Sequence, residues 1–100
     1  MNADQAKTIK KEMGITHKDF HAELPTLLGG IPYQRHKDTI SFELRGKRVE
    51  INLGLEDIRK IGPSVTLPVT IVTLRFFAFS EEEMSDFIRH FNLKFMKGGG

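Results

Sequence analysis

The chain has 100 residues, 39% hydrophobic and 28% charged, with 15 Lys and Arg against 13 Asp and Glu and no cysteine. Such a chain forms one globular domain with room for a core, not a disordered polymer. The missing cysteine excludes disulfides, thiolate nucleophiles and cysteine zinc sites, while a net charge of +2 neither demands nor forbids an anionic partner.

Residues 1–14 read as a short N-terminal helix, loosely docked. Ala6, Ile9 and Met13 share a helical face behind Asp4, and Lys7, Lys10 and Lys11 make the remainder basic. No basic stretch followed by an apolar one stands there, and no apolar run approaches the ~20 residues that span a bilayer. A cytoplasmic protein with no membrane partner is expected.

Thr16 and Asp19 have the spacing of a helix cap. Phe20, Leu24, Leu27 and Leu28 supply the apolar side of the helix that follows. Pro25 predicts a kink or a division at Leu24, and Gly29-Gly30 ends the element.

Thr39–Leu53 reads as a β-hairpin about a Gly46-Lys47 turn. Leu44 then opposes Val49, Phe42 opposes Ile51 and Ile40 opposes Leu53, all on one face. The other face opposes Glu43 to Glu50. Close carboxylates serve acid–base chemistry, but with Arg75 between them this pair reads as a structural ladder.

Leu55, Ile58 and Ile61 are spaced by three, which predicts a helical turn over Gly54–Gly62. Val69–Phe79 is a strand rich in β-branched and aromatic residues. One of its faces, Thr70 to Ala78, is uncharged and faces the core. The other carries Ile71, Arg75, Phe77 and Phe79, more apolar than a one-sided strand needs. Ser80 and Glu83 form a capping box, and Met84, Phe87, Ile88, Phe91 and Phe95 make the stripe of a final helix.

The expected architecture is a two-layer α+β domain over residues 1–100. A three-stranded antiparallel sheet carries helices on one face, in the order α-β-β-β-α plus the short N-terminal helix, with 98–100 as a flexible tail. The apolar outer face of the long strand needs a cover: the N-terminal segment, a second copy of the chain, or a ligand. Ile71, Arg75, Phe77 and Phe79 are the expected interaction residues.

Arg75-Phe76-Phe77-Ala78-Phe79 resembles the core of the RNA-recognition motif, with Phe76 in place of its glycine. The resemblance implies aromatics stacking on bases. The element order resembles that of double-stranded-RNA-binding domains, whose last helix opens with a phosphate-gripping lysine cluster. Here that place reads Glu81-Glu82-Glu83, which repels phosphate. Lys97-Gly98-Gly99-Gly100 resembles the tail of ubiquitin-like sulfur carriers, although a helix and not a strand leads into it here.

Arg45, Lys47 and Arg48, with Arg35 and Lys37, read as solvated loops, or in the alternative as a nucleic-acid contact. His17 and His21 have i, i+4 spacing, half of a metal site; a third ligand would have to come from elsewhere, such as Asp19, His36 or His90, and histidine pairs on partly exposed helices are usually not ligands, so no metal and no cofactor are expected. A non-catalytic domain acting on a protein partner or its own copy is the favoured reading, and nucleic-acid binding the alternative.

Overall fold

The structure is a computed structural model that describes residues 6–96. Its elements are β1 (Ala6–Met13), α1 (His17–Leu28), β2 (Tyr33–His36), β3 (Thr39–Leu44), β4 (Lys47–Lys60), β5 (Thr66–Phe77) and α2 (Glu81–Met96). All strands join one antiparallel sheet in the order β1-β5-β4-β3-β2. The α+β class stands, but the sheet has five strands and not three.

The two extra strands have physical explanations. Residues 6–13 form an edge strand and not a helix. Lys7, Ile9, Lys11 and Met13 alternate onto the face shared with Phe76, Leu74, Val72 and Thr70, so Ile9 and Met13 join the core through a period of two. The ladder to β5 satisfies backbone groups that a marginal helix would leave to water. Asp4, the expected cap, and the expected tail at 98–100 lie outside the described residues. Tyr33–His36 is a short edge strand of exposed residues paired to β3. It has no apolar alternation by which to be read.

The predicted helical turn over Gly54–Gly62 is also a strand, an extension of β4 to Lys60. A register shift between Leu53 and Glu56 inserts a bulge, which breaks the alternation and mimics a spacing of three. Gly54 occupies the bulge where a Cβ would lie 3.1 Å from the Ile71 carbonyl oxygen.

The β3–β4 hairpin is two residues out of the expected register. Leu44 faces Lys47, Phe42 faces Val49 and Ile40 faces Ile51. Arg45 and Gly46, both at positive φ, form the turn, the backbone of a type I′ connection. A slip of two keeps every side chain on its face, so Ile40, Phe42, Val49, Ile51 and Leu53 are buried as expected.

Both helices pack on that face. α1 is capped by Thr16, whose Oγ1 accepts from Asp19 N at 3.0 Å, and ends at Gly29 with φ 60°. It runs through Pro25 as one element to Leu28. α2 opens with the expected capping box: Ser80 N donates to Glu83 Oε1 at 2.8 Å and Glu83 N to Ser80 Oγ at 3.1 Å. Phe20, Phe87 and Phe91 seal against Ile51, Leu74 and Phe76, and Phe20 stacks on Phe95 with centroids 4.7 Å apart.

The helices cover only part of the sheet. β1 stays paired to β5 as far as Thr70; beyond Glu56 and Thr70, β4 and β5 continue as a two-stranded arm, and the molecule measures 52 × 26 × 26 Å. The five residues Glu56–Lys60 alone extend ~17 Å at strand rise.

Candidate functional site

The arm is the most exposed apolar feature among the described residues. Leu55 is 92% and Ile58 68% exposed, and Ile61, Val65, Leu67 and Ile71 are also exposed. Together they are six of the eight large hydrophobic side chains at the surface. Thr70 faces the helices, so alternation sends Ile71, Val69 and Leu67 to the opposite, outer face. Ile61 N donates to Val65 O at 2.9 Å and closes the tip. A shallow concavity of about 560 Å³ runs along the arm base, with Leu55, Val69 and Ile71 in its wall and Glu12 and Arg59 joined by a salt bridge beside it.

Of the expected interaction residues, Ile71, Arg75 and Phe77 lie on this outer face. Arg75 places its guanidinium 5.4 Å from the centre of the Phe77 ring and its Nη1 3.4 Å from Glu50 Oε1. Glu50 also accepts from Arg48 Nη2 at 2.7 Å. Glu43 stands opposite Arg48 and not opposite Glu50, so the two carboxylates expected side by side are separated by a register step, and the ladder reads Arg75, Glu50, Arg48.

Phe79 is elsewhere. β5 ends at Phe77, and Ala78 takes φ 66°. That left-handed residue turns the chain, and Phe79 is 7% exposed against Phe76, with centroids 5.1 Å apart. Residues 6–13 do not cover the outer face either, because they form the edge strand β1, and Ile9 and Met13 turn to the core face.

Phe79 instead walls a second cavity, of about 440 Å³, between the end of α1, one side of α2 from Glu83 to Lys94 and the β3–β4 turn. Lys47 reaches across it: Nζ lies 2.7 Å from Glu83 Oε1 and 5.9 Å from the centre of the Phe79 ring. The Lys47 ammonium, followed by the Ser80 amide, lowers the Glu83 carboxyl to about 2. Sequence reading missed this cavity because its walls come from four separate segments.

The basic residues do not form one surface. Lys47 belongs to Glu83 and Arg48 to Glu50, while Arg45 occupies the turn. Arg35 lies on the far edge strand, its Nε donating to Lys37 O at 3.1 Å.

His17 and His21 meet the β2–β3 turn. His17 Nε2 donates to Gly54 O at 2.6 Å and its Nδ1 is 3.6 Å from Asp38 Oδ1. Both ring nitrogens of His21 lack a hydrogen-bond partner among the described residues. Burial, then the Arg35 charge, then His17 push its pKa down, against a smaller upward pull from Asp38. No group of three ligating side chains with metal-binding geometry occurs among the described residues, and no helix there is long and apolar enough to cross a membrane.

No known protein family, curated protein or solved structure matches the chain.

Proposed function

We propose that the chain is a non-catalytic, cytoplasmic association domain that pairs with a second copy of itself through the arm and the adjoining outer face of β5. The supporting observation is the set of exposed apolar side chains on both faces of the arm and at its base, Leu67 and Ile71 on the outer face and Ile58 on the face of Thr70. A two-stranded ribbon with no layer beneath it is marginal in water, so burial of this set is what stabilises it. Each side chain buried in full contributes roughly 1.5–3 kcal/mol.

Charge favours a copy over another partner. Glu56 and Asp57 stand near the base of the arm and Lys60 near its tip, while Arg59 is held by Glu12. A twofold axis across two antiparallel arms sets each acidic base beside the other's basic tip, the self-complementarity that a closed dimer requires. The same residues oppose like to like in a parallel arrangement.

The nucleic-acid alternative has less support. It needs Arg45, Lys47 and Arg48 to be free for phosphate, and two of them are held by carboxylates.

Light scattering across a concentration series tests the reading on the wild type, on Ile61→Asp with Leu67→Asp, and on Phe77→Glu. A wild-type dimer that becomes a monomer with unchanged circular dichroism in the arm variant is the expected result. A wild type that stays monomeric at the highest concentration overturns it. A shift with Phe77→Glu alone moves the interface from the arm to the sheet.

A further inference from the structure

The cavity behind Phe79 is independent of the arm. Its floor is apolar: Leu27, Leu28, Ile31, Leu44, Phe79 and Phe87. Its size falls in the ~300–1,000 Å³ range of small-molecule pockets, which are mostly apolar with a few placed polar groups.

The rim holds three cations and two carboxylates, Arg45, Lys47 and Lys94 against Glu83 and Asp86. Glu83 is committed, and Asp86 has an exposed partner one helical turn on. Glu83 is bonded to Lys47 at 2.7 Å, and Asp86 accepts from Arg89 at 3.3 Å. Arg45 and Lys94 have no carboxylate within salt-bridge distance among the described residues. An apolar floor under two uncommitted cations suits a molecule with an apolar chain and one anionic head.

We propose that this cavity binds a free medium-chain carboxylate, its chain against Phe79, Phe87 and Leu27 and its head at the cationic rim that Arg45 and Lys94 supply. The carboxylate replaces water around two cations that already face solvent, so binding strands no buried charge.

The probe is decanoate, titrated into the isotope-labelled full chain and followed by amide NMR. Saturable shifts at Leu27–Gly29, Leu44–Lys47 and Phe79–Glu83 are expected. Decyltrimethylammonium, with the same chain and opposite charge, binds at least tenfold more weakly. Arg45→Asn with Lys94→Gln weakens decanoate about tenfold and leaves decanol unchanged; Asn suits the positive φ of the turn. Comparison of head groups on the wild type stands even if that variant misfolds.

Absent or non-saturable shifts overturn the proposal, as does equal binding of the cationic and anionic probes. Shifts confined to the arm mean general adhesion to exposed apolar surface and also overturn it. Anionic vesicles carry the same chemistry in a bilayer: co-sedimentation with them, without saturable decanoate binding, overturns a free ligand in favour of a membrane surface. None of these outcomes depends on whether the chain dimerises.

Discussion

Lys47 Nζ and Glu83 Oε1 stand 2.7 Å apart and join the β3–β4 hairpin to the first turn of α2. Glu83 does two jobs at once, closing the capping box on Ser80 and holding the lysine that lies near Phe79. One carboxylate therefore couples helix initiation to the wall of the cavity.

That coupling has a pH signature. The folded carboxyl, at about 2, lies below its ordinary value of 4.5. The folded state then binds fewer protons than the unfolded state in between, so the contribution is complete above 4.5 and is lost as pH falls towards 2. Glu83→Gln flattens that part of the acid limb of stability, read by urea midpoints at successive pH values. An unchanged acid limb would show that the lysine contact is not maintained in solution. Ser80→Ala removes the reciprocal bond and costs about 1 kcal/mol, or roughly 4–8 °C in Tm for a domain of this size.

The arm has a kinetic signature. Val49–Leu53 and Val72–Phe76 are backed by helices, while Glu56–Lys60 and Thr66–Val69 have only each other. Amides of the arm are expected to exchange with deuterium faster than those of the covered strands. Raising the protein concentration slows arm exchange if copies pair there and leaves the covered strands alone. Equal protection of arm and core at high dilution would mean that the ribbon is stable unaided.

Local chemistry was legible in the sequence and long-range geometry was not. The capping residues Thr16, Ser80 and Glu83 act over three positions, and the stripes of both helices repeat at a fixed period; these were readable and are present. The faces of β3 and β4 were readable too, but their register was not, because a period of two cannot distinguish slips of two. Ala6, Ile9 and Met13 fit a helical face, while Ile9 and Met13 also fit a strand; the pairing with β5 decides. The bulge at Gly54 hid the arm. At Phe79 the deciding event is the left-handed backbone of Ala78, which no side-chain pattern announces. Of the interaction residues, Ile71, Arg75 and Phe77 could be placed by alternation alone. The cavity needed the tertiary meeting of α1, α2 and the turn.

Thr70 is the one buried polar side chain of the core among the described residues, and its Oγ1 donates to Ile15 O at 2.8 Å. The bond fixes the link between β1 and α1 against β5. Thr70→Val keeps the shape and strands a carbonyl, at a cost of about 1–3 kcal/mol. Thr70→Ser keeps the bond and loses a methyl, about 1 kcal/mol. Thermal unfolding of both variants separates the terms: a valine variant as stable as wild type would mean that the Ile15 carbonyl finds another donor.

His21 gives the neutral-range test. Its ring lies edge-on to Phe20, with centroids 6.3 Å apart. The charged groups that move its pKa come from two elements besides its own: Arg35 on β2, Asp38 in the β2–β3 turn, and His17 one helical turn back. Burial dominates and, with Arg35 and His17, holds the folded value below 6.5, so the unfolded chain takes up the proton first as pH falls. The contribution of a neutral His21 is therefore complete above 6.5 and is lost on acidification from there through the folded value. Urea midpoints across the histidine range, about pH 5–8, should fall with acidification in the wild type and fall less in His21→Leu. Asp38→Asn removes the one upward pull, lowers the folded value further and carries the loss to lower pH. Parallel midpoint curves for wild type and His21→Leu would mean that His21 takes its proton as readily folded as unfolded, and that the ring is hydrated where it meets Arg35.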